Sequence, residues 1–335
     1  MEKNECEQIY EVVLSNDDAK FLIKLSEKIT ASPSQNPELF CKQSKQIAEL
    51  VPEKIKKILK NFSKHGSCTC YLIFKNIPIT RNNEELIPHT PPDNSFKIGE
   101  KTVLAKIQSI FIHVMGDTIS YEAECDGNLF QDIVPCKKMQ SQQTSLSSGV
   151  ELEVHTEQAF SKFKPDIISL GCIRGNEMAE TYIYPVKKFL NVLSKDEIIL
   201  LKQPLWKVGV DMSFKLNGHE FLDGNIRGPI SIIHGSEQDP HFIFDQDLMK
   251  GITKSSHKII KKMVDIYRDE RNKHVLMPGE IIFVDNLRAI HGRSFFTPKY
   301  DVKDRFLIRS FGTFNFEKSI YARQGSGHMV YAKYS

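Results

Sequence analysis

The feature that most constrains this fold is a long series of short β-rich runs that begins at about residue 118. Turn residues separate the runs, and many short strands at fairly regular spacing are typical of a sandwich, a jelly roll or a barrel. The chain from this point on is therefore predicted to form a double-sheet β core. The runs are LFQDIV, VELEVHTE, DIISLGCI, ETYIYPV, LWKVGVD, ISIIHG, HFIFD, EIIFVD, AIHGRSFF and RFLIRSFGTF.

Helical periodicity dominates the chain before this series. Residues 17–63 carry apolar positions at helical spacing, and KTVLAKIQSIFIHVMGD predicts an amphipathic helix that Gly116 ends. Two more helices, KKFLNVLSKDEIILLKQ and TKSSHKIIKKMVDIYRDERNK, interrupt the strands. The predicted class is α+β, with a mostly helical part (residues 1–100) packed on a β-rich core (residues 101–335).

Charge and cysteine content exclude several classes of function. The formal net charge is +3, so the chain lacks the basic excess of a nucleic-acid-binding protein. Its 7 cysteines form no CxxC pair, which favours free thiols in a reducing compartment. It has neither an apolar signal region nor an apolar run of about 18 residues. We therefore expect a soluble, cytoplasmic protein that binds neither nucleic acid nor a membrane.

The run GVELEVHTEQAF carries the first candidate site residues. Its strict alternation predicts a half-buried strand with His155 and Glu157 on one face. That face could be ordinary solvated strand exterior, which is the commoner case. Alternatively, the two side chains are neighbouring ligands of a metal ion.

A third ligand is available in PGEIIFVDNLRAIHGRS, where His291 follows an apolar strand and a turn. One histidine close to a carboxylate, together with a distant second histidine, is the composition of the facial triad of non-haem Fe(II) oxygenases. Zinc sites usually contain more His and Cys ligands, and the chain has no HExxH motif.

Two arginines lie in the last strong strand, DRFLIRSFG. Arg305 and Arg309 are four residues apart and share one face of an otherwise apolar strand. A buried guanidinium requires an anion, because burying an unpaired charge is costly. The alternative is an outward-facing strand with two solvated arginines. An oxygenase that uses 2-oxoglutarate would need one arginine for this cosubstrate, and a second would suit an amino-acid carboxylate.

Five separated blocks resemble the clavaminate synthase-like Fe(II)/2-oxoglutarate oxygenases and, within that group, the free L-lysine hydroxylases. The resemblance runs from about Tyr121 to the C-terminus. It implies a double-stranded β-helix, or jelly-roll, core with a helical N-terminal part and a lid insertion around residues 210–260. The blocks are YEAECDGNLFQDIVP, ELEVHTEQAFSKFKPDIISLGCIRG, FDQDLMKGI, PGEIIFVDNLRAIHGRS and DRFLIRSF.

The resemblance assigns the metal and the cosubstrate to particular residues. It implies that His155, Glu157 and His291 bind Fe(II). It also implies that Arg305 binds 2-oxoglutarate with the help of Thr181. Related halogenases carry a small residue at the carboxylate position, so Glu157 implies hydroxylation rather than halogenation.

The resemblance also implies a set of substrate contacts. Arg309 would bind the α-carboxylate, while Gln131 and Glu157 would bind the α-ammonium. Asp245 and Asp247 match lid acids that hold the cationic end of the substrate in related arginine hydroxylases. From the residues alone the commoner role is favoured, in which the two aspartates are only the N-cap and a first-turn acid of a short DLMKGI helix.

Two of these assignments also have simple structural alternatives. Gln131 could be a surface amide, and Thr181 could be present only as a β-forming residue.

The function implied by the resemblance is hydroxylation of an unactivated carbon of free L-lysine. Fe(II), 2-oxoglutarate and O2 would yield hydroxylysine, succinate and CO2, with C4 favoured over C3. The sequence does not reveal the oligomeric state and is compatible with a homodimer. The alternatives are the same chemistry on arginine, ornithine or asparagine, a zinc or manganese cupin-like isomerase or hydrolase, and a non-catalytic β-sandwich binding protein.

Overall fold

A computed structural model describes residues 10–82, 84–215, 218–323, 325 and 327–335. Parts of the predicted N-terminal region (1–9 and 83) and of the predicted lid (216–217) lie outside this set. The helices are α1 (Asn16–Glu27), α2 (Pro37–Ala48), α3 (Glu53–His65), α4 (Val103–Met115), α5 (Val186–Val192), α6 (Lys195–Leu201), α7 (Met212–Lys215) and α8 (Lys254–Glu270).

The strands, numbered in chain order, are mostly short. They are β1 (Glu11–Val13), β2 (Tyr71–Lys75), β3 (Asp117–Tyr121), β4 (Gln131–Ile133), β5 (Leu152–His155), β6 (Ile167–Arg174), β7 (Glu180–Pro185), β8 (Trp206–Gly209), β9 (Ile226–Ile230), β10 (Ile233–Gly235), β11 (Pro240–Phe242), β12 (Met249–Gly251), β13 (Asn272–Val275), β14 (Ile281–Asp285), β15 (Ala289–Arg293), β16 (Phe306–Thr313) and β17 (Met329–Val330). The mixture of helix and strand agrees with the predicted α+β class.

The helical stretch predicted over residues 17–63 is divided into α1, α2 and α3. Ser15 caps α1 by accepting a hydrogen bond from the Asp18 N–H, and Asn36 caps α2 in the same way through the Leu39 N–H. Pro37 opens α2 and Pro52 immediately precedes α3, where the lack of an N–H is harmless. The polar side chains and prolines between the helices therefore start each one separately.

Helix α4 lies between α1–α3 and the large sheet. The sequence predicted an amphipathic helix here, but 12 of its 13 residues are buried. Gln108 is one of them, and its amide donates hydrogen bonds to the main-chain oxygens of Ser169 and Ile308. The prediction was wrong about amphipathicity because α4 is covered on both sides, as expected for a helix that is apolar nearly all round.

The large sheet has the strand order β1-β2-β14-β6-β16-β3-β17, with β4 also paired to β16. Side chains alternate between two cores along its central strands. In β14, Ile281 and Phe283 pack with the N-terminal helices, whereas Ile282 and Val284 join the second core. In β16, Ile308 faces the helices and Leu307 faces the second core. The second face of this sheet therefore points towards the small sheet.

The small sheet has the order β13-β7-β15-β5. Its apolar side chains, such as Val154 and Ile290, join the same core as the inner face of the large sheet. The predicted helix ending in RDERNK stops at Glu270, and β13 begins two residues later. No helix within the described ranges is both long and apolar enough to cross a membrane.

Candidate active site and metal centre

Three side chains with metal-ligand atoms converge between the two sheets. His155 is the last residue of β5, and the register of the small sheet places it opposite His291 of β15. Glu157 lies two residues beyond the end of β5. The ligand atoms of the three residues all lie within 4.8 Å of one another. The structure thus brings together the three residues that the sequence singled out.

The strand carrying this motif enters the interior as it ends. Glu151 is partly exposed and forms an ion pair with Arg271, whereas Glu157 is only 8% exposed. His155 packs against His291 with 4.4 Å between ring centroids. The interpretation as a fully solvated strand exterior is therefore wrong for the last residues of the motif.

Hydrogen bonding and burial set the protonation of this cluster. His155 Nδ1 lies 2.7 Å from the Glu153 carbonyl oxygen, which it can bind as a donor. Burial, followed by the nearby His291, lowers the pKa of His155. Burial alone would raise the pKa of Glu157, but the guanidinium of Arg309 and the imidazole of His291, whose Nε2 lies 3.6 Å from Glu157 Oε2, outweigh it and lower the pKa to about 2. Neutral imidazole and ionised carboxylate are the forms that bind a metal.

The donor set fits Fe(II). Two imidazoles and one carboxylate at the edge of a cavity leave coordination positions open, as the facial triad requires. Among the described residues, no fourth His, Cys, Asp or Glu joins the group, so it lacks the closed set of a structural zinc site. The Nδ1–carbonyl contact of His155 is the orienting contact that metal-binding histidines usually make.

The cavity beside this cluster has a volume of about 360 Å³ and is lined by both sheets. Arg305, just before β16, lies at its wall and is only 5% exposed. Among the described residues it has no hydrogen-bond or ion-pair partner, only the Phe296 ring at 5.6 Å. Burial lowers the pKa of Arg305 to about 10. Thr181 on β7 also lines the cavity, and its hydroxyl has no protein partner within the described ranges.

Arg309 lines the same cavity but is surrounded by acceptors. Its Nε donates to Gln131 Oε1 at 2.8 Å, and its Nη1 lies 3.3 Å from Glu157 Oε1. Its Nη2 forms an ion pair with Glu124. Gln131 lies opposite Arg309 in the β4–β16 ladder and is 4% exposed. The alternatives of a surface amide at 131 and of a solvated Arg309 are therefore wrong.

Several acidic side chains surround the cavity. Asp245 is buried, and its Oδ1 accepts hydrogen bonds from the N–H groups of Asp247 and Leu248 at 3.0 and 2.7 Å. It caps a turn, but the capped segment leads into strand β12 rather than the predicted short helix. Burial raises the pKa of Asp245 to about 7. Asp247 is exposed, and both aspartates line the cavity with Asp211.

Comparisons with known proteins agree with this geometry. No protein-family model matches the chain. The L-lysine 3-hydroxylase of Catenulispora acidiphila is 38% identical over 97% of this chain and 89% of that protein. Clavaminate synthase 2 of Streptomyces clavuligerus is 24% identical over 86% of this chain and 87% of its own length. The chain belongs to the clavaminate synthase-like oxygenases.

Further relatives of this oxygenase support the same class. An L-lysine 4-hydroxylase of a Flavobacterium species is 24% identical over 82% of this chain and 75% of that protein. A solved structure of asparagine oxygenase with Fe(II), (2S,3S)-3-hydroxyasparagine and succinate has a TM-score of 0.88. It is 25% identical and covers 96% of this chain and 99% of its own. The predicted enzyme class, a 2-oxoglutarate-dependent amino-acid hydroxylase, is confirmed.

Sequence reasoning missed two buried charged residues of this oxygenase. Glu124 pairs with Arg309 and also accepts a hydrogen bond from Gln158 at 2.9 Å. Burial outweighs the attraction to Arg309 and raises the pKa of Glu124 to about 7. Arg293 lines the cavity beside Arg305 and donates to oxygen atoms of residues 145–150 and to the Ser294 carbonyl. Alternation along β15 puts Arg293 on the same face as His291, and this is the signal that the sequence offers for Arg293.

Proposed function

We propose that this oxygenase hydroxylates free L-lysine with Fe(II), 2-oxoglutarate and O2. One observation carries the proposal. One cavity joins a two-histidine, one-carboxylate cluster to Arg305, a buried cation without an ion-pair partner in the described part of the chain, and to a set of acidic side chains. The 38% identical L-lysine 3-hydroxylase supports lysine as the substrate.

We infer that the two facing sheets form a double-stranded β-helix. The inference is supported by a shared core between the sheets and by the cavity at their inner faces. In this arrangement, residues 101–335 would form the catalytic core. Residues 1–100 would form a mostly helical part packed against that core. The segment 210–260 would act as the lid, since Asp211, Asp245 and Asp247 line the cavity from this segment.

In this proposal, His155, Glu157 and His291 hold the metal. Bound Fe(II) would supply the oxidative chemistry that consumes 2-oxoglutarate and O2. The Glu153 carbonyl fixes the ring of His155, and the low pKa of Glu157 keeps its carboxylate ionised at neutral pH. A carboxylate at position 157 also occupies the place that a halide would need.

Arg305 and Thr181 would bind the far carboxylate of 2-oxoglutarate. A planar guanidinium can bind a carboxylate through two parallel hydrogen bonds, and a hydroxyl can add a third. The buried Arg305 has no carboxylate partner of its own among the described residues, so the cosubstrate would supply the missing charge. This arrangement favours a dicarboxylate that reaches from the metal to Arg305.

The substrate would lie on the other side of the metal. Arg309 would take its α-carboxylate, and the acceptor oxygens of Gln131 and Glu157 would take its α-ammonium. The side-chain ammonium would meet Asp245 or Asp247 as the lid closes. An acidic lid would exclude water and favour a cationic side chain over a neutral one, because burying an unpaired charge is costly.

The position of attack is proposed to be C3, with C4 as the second candidate. Arg309 Nη1 lies 3.3 Å from Oε1 of the proposed metal ligand Glu157. A lysine whose α-carboxylate is held by Arg309 would therefore have C3, the carbon next to the α-carbon, close to the metal. The lysine 3-hydroxylase supports C3 over C4, the position that the sequence resemblance favours. The 24% identical lysine 4-hydroxylase supports the second candidate.

The proposal predicts Fe(II)-dependent formation of succinate that L-lysine stimulates more than arginine, ornithine or asparagine does. Product assignment by NMR distinguishes C3 from C4. His155→Ala should abolish turnover, and full activity in that variant would contradict the metal assignment. If lysine stimulates no more succinate than the other amino acids, the substrate assignment is wrong.

A separate experiment tests the lid acids. We expect Asp247→Asn to reduce the preference for lysine over the neutral analogue norleucine by about 10-fold, the effect of roughly 1.4 kcal/mol. Asp245→Asn should also destabilise the turn that Asp245 caps. If the double variant keeps the full preference for lysine, these residues do not hold its side-chain ammonium.

A further inference from the structure

The metal-ligand residue Glu157 lies outside the regular sheet. Strand β5 ends at His155, so the ladder with β15 provides no partner for the peptide groups of residue 157. Glu157 is nevertheless buried, and a buried main-chain N–H or C=O without a partner costs about 1–3 kcal/mol. Both of its main-chain groups must therefore be bound by something other than a strand.

One side chain binds both groups. The Glu157 N–H donates to Asn286 Oδ1 at 2.8 Å, and Asn286 Nδ2 donates to the Glu157 carbonyl at 3.1 Å. Nδ2 makes a second hydrogen bond, of 2.7 Å, to the Pro165 carbonyl. Asn286 is 0% exposed. Its carboxamide thus takes the place of a neighbouring strand for one residue, the residue that carries the carboxylate ligand.

The main chain of Asn286 belongs to the turn that leads to His291. It lies between β14 and β15, and its N–H donates to the Asp166 carbonyl at 3.0 Å. The preceding Asp285 accepts hydrogen bonds from two N–H groups of the turn and forms an ion pair with Arg288. This turn is consequently fixed on its own, and the Asn286 side chain ties Glu157 to it.

We propose that Asn286 is a positioning residue that fixes Glu157 relative to His291 and thereby sets the affinity for the metal. This inference rests on the proposed function, because it assumes that the two residues share a metal ion. Asparagine is suited to the task, since a carboxamide offers an acceptor and two donors on one rigid plane. Alanine has none of these groups, and aspartate keeps the acceptor while losing both donors.

Gln108 provides a matched control. It is also 0% exposed, and its amide donates to two main-chain carbonyls, those of Ser169 and Ile308, at 3.0 and 3.2 Å. It lies on α4, on the helical side of the large sheet. Gln108→Ala should therefore lower stability as Asn286→Ala does, without acting on the metal ligands.

The test is an anaerobic titration of the full metal-free chain with Co(II), followed by its d–d absorption. Each variant is also melted without metal. We expect Asn286→Ala to weaken Co(II) binding about 10- to 100-fold, the usual effect of losing a group that orients a ligand. Gln108→Ala should bind Co(II) as wild type does while melting at a lower temperature. Wild-type Co(II) affinity in Asn286→Ala, or an equal loss in Gln108→Ala, overturns the inference.

Two further variants complete the design. Should Asn286→Ala lack a cooperative melt, Asn286→Asp is titrated instead, and failure of both to fold would assign Asn286 to folding and overturn the inference. His155→Ala tests the premise. If it leaves Co(II) binding unchanged, the proposed metal site itself is wrong. If it weakens binding while the Asn286 variants do not, only the role of Asn286 fails.

Discussion

Arg305 lies just before β16 and Arg309 lies four residues further on, within the strand, yet their surroundings are opposite. Arg309 contacts Glu124, Glu157 and Gln131, whereas Arg305 has no acidic partner among the described residues. Burial by itself lowers the pKa of both guanidiniums. The two carboxylates outweigh it at Arg309 and raise the pKa, while Arg305 is left with a pKa of about 10.

Under the proposed function, this difference would let one cavity take two unlike ligands. The subsite at Arg305 carries an uncompensated positive charge, so it suits an anion such as the far end of 2-oxoglutarate. The subsite at Arg309 already contains acids, so a carboxylate entering it has to share the guanidinium with Glu124. A ligand that brings its own positive charge, as the zwitterion of an amino acid does, keeps that subsite balanced.

The largest expected effect is at the paired arginine. Arg309→Met leaves Glu124 and Glu157 buried without their cation, and breaking a buried ion pair from one side costs about 3–5 kcal/mol. We expect the free energy of unfolding in urea to fall by about that amount, together with loss of turnover. A variant as stable as wild type would mean that the Arg309–Glu124 pair does not contribute to folding.

Arg305→Met sharpens the comparison because its effect on stability should have the opposite sign. Removing a buried cation that pairs with no acid in the described ranges should raise the melting temperature of the ligand-free protein. Binding of 2-oxoglutarate should weaken about 30-fold or more, since losing one half of a buried charge pair costs at least about 2 kcal/mol. The KM for 2-oxoglutarate and a melting curve measure the two effects. A lower melting temperature in Arg305→Met would remove the contrast with Arg309→Met.

The sequence could predict that both arginines share one strand face, and both line the cavity, but it could not predict this contrast. Period-two alternation placed both arginines on one face of the strand, and it applies equally to a paired and an unpaired guanidinium. Glu124 comes from a distant segment that ends in a turn with left-handed backbone at Cys125 and Asp126. Glu124 reaches Arg309 through tertiary packing of this turn, and such packing produces no periodic pattern in the sequence.

The fold was predictable to a similar extent. The strands β6, β14 and β16 were evident from their apolar runs, and the α+β class followed from them. The burial of α4 on all sides could not be predicted, because the same apolar residues suit a helix covered on one side or on both. The role of Asn286 was equally hidden, since an asparagine after a strand ordinarily indicates only a turn.

A third prediction concerns the pH dependence that Glu124 brings to the paired subsite. Its pKa rises from an ordinary 4.5 to about 7 in the folded protein. Between these values the native state binds more protons than the unfolded state, so stability should fall as pH rises, by at most about 1.4 kcal/mol per pH unit.

Urea unfolding of the metal-free protein between pH 5 and pH 8 measures this slope. Glu124→Gln should flatten it, although the contribution of Asp245, whose pKa is also raised to about 7, should remain. Glu177 is exposed, so Glu177→Gln should leave the slope unchanged. An unaltered slope in Glu124→Gln would mean that its carboxyl does not take up a proton on folding.

The smallest expected effect tests the unpaired subsite without touching a charge. Thr181→Val removes one hydroxyl at nearly constant shape, and a single neutral hydrogen bond contributes about 0.5–1.5 kcal/mol. The KM for 2-oxoglutarate should therefore rise about 2- to 13-fold, while that for lysine stays constant. Thr102→Val removes the hydroxyl that caps α4 and should lower stability without changing either KM. If Thr181→Val instead raises the KM for lysine, Thr181 belongs to the subsite of Arg309, and the division of the cavity between the two arginines is wrong.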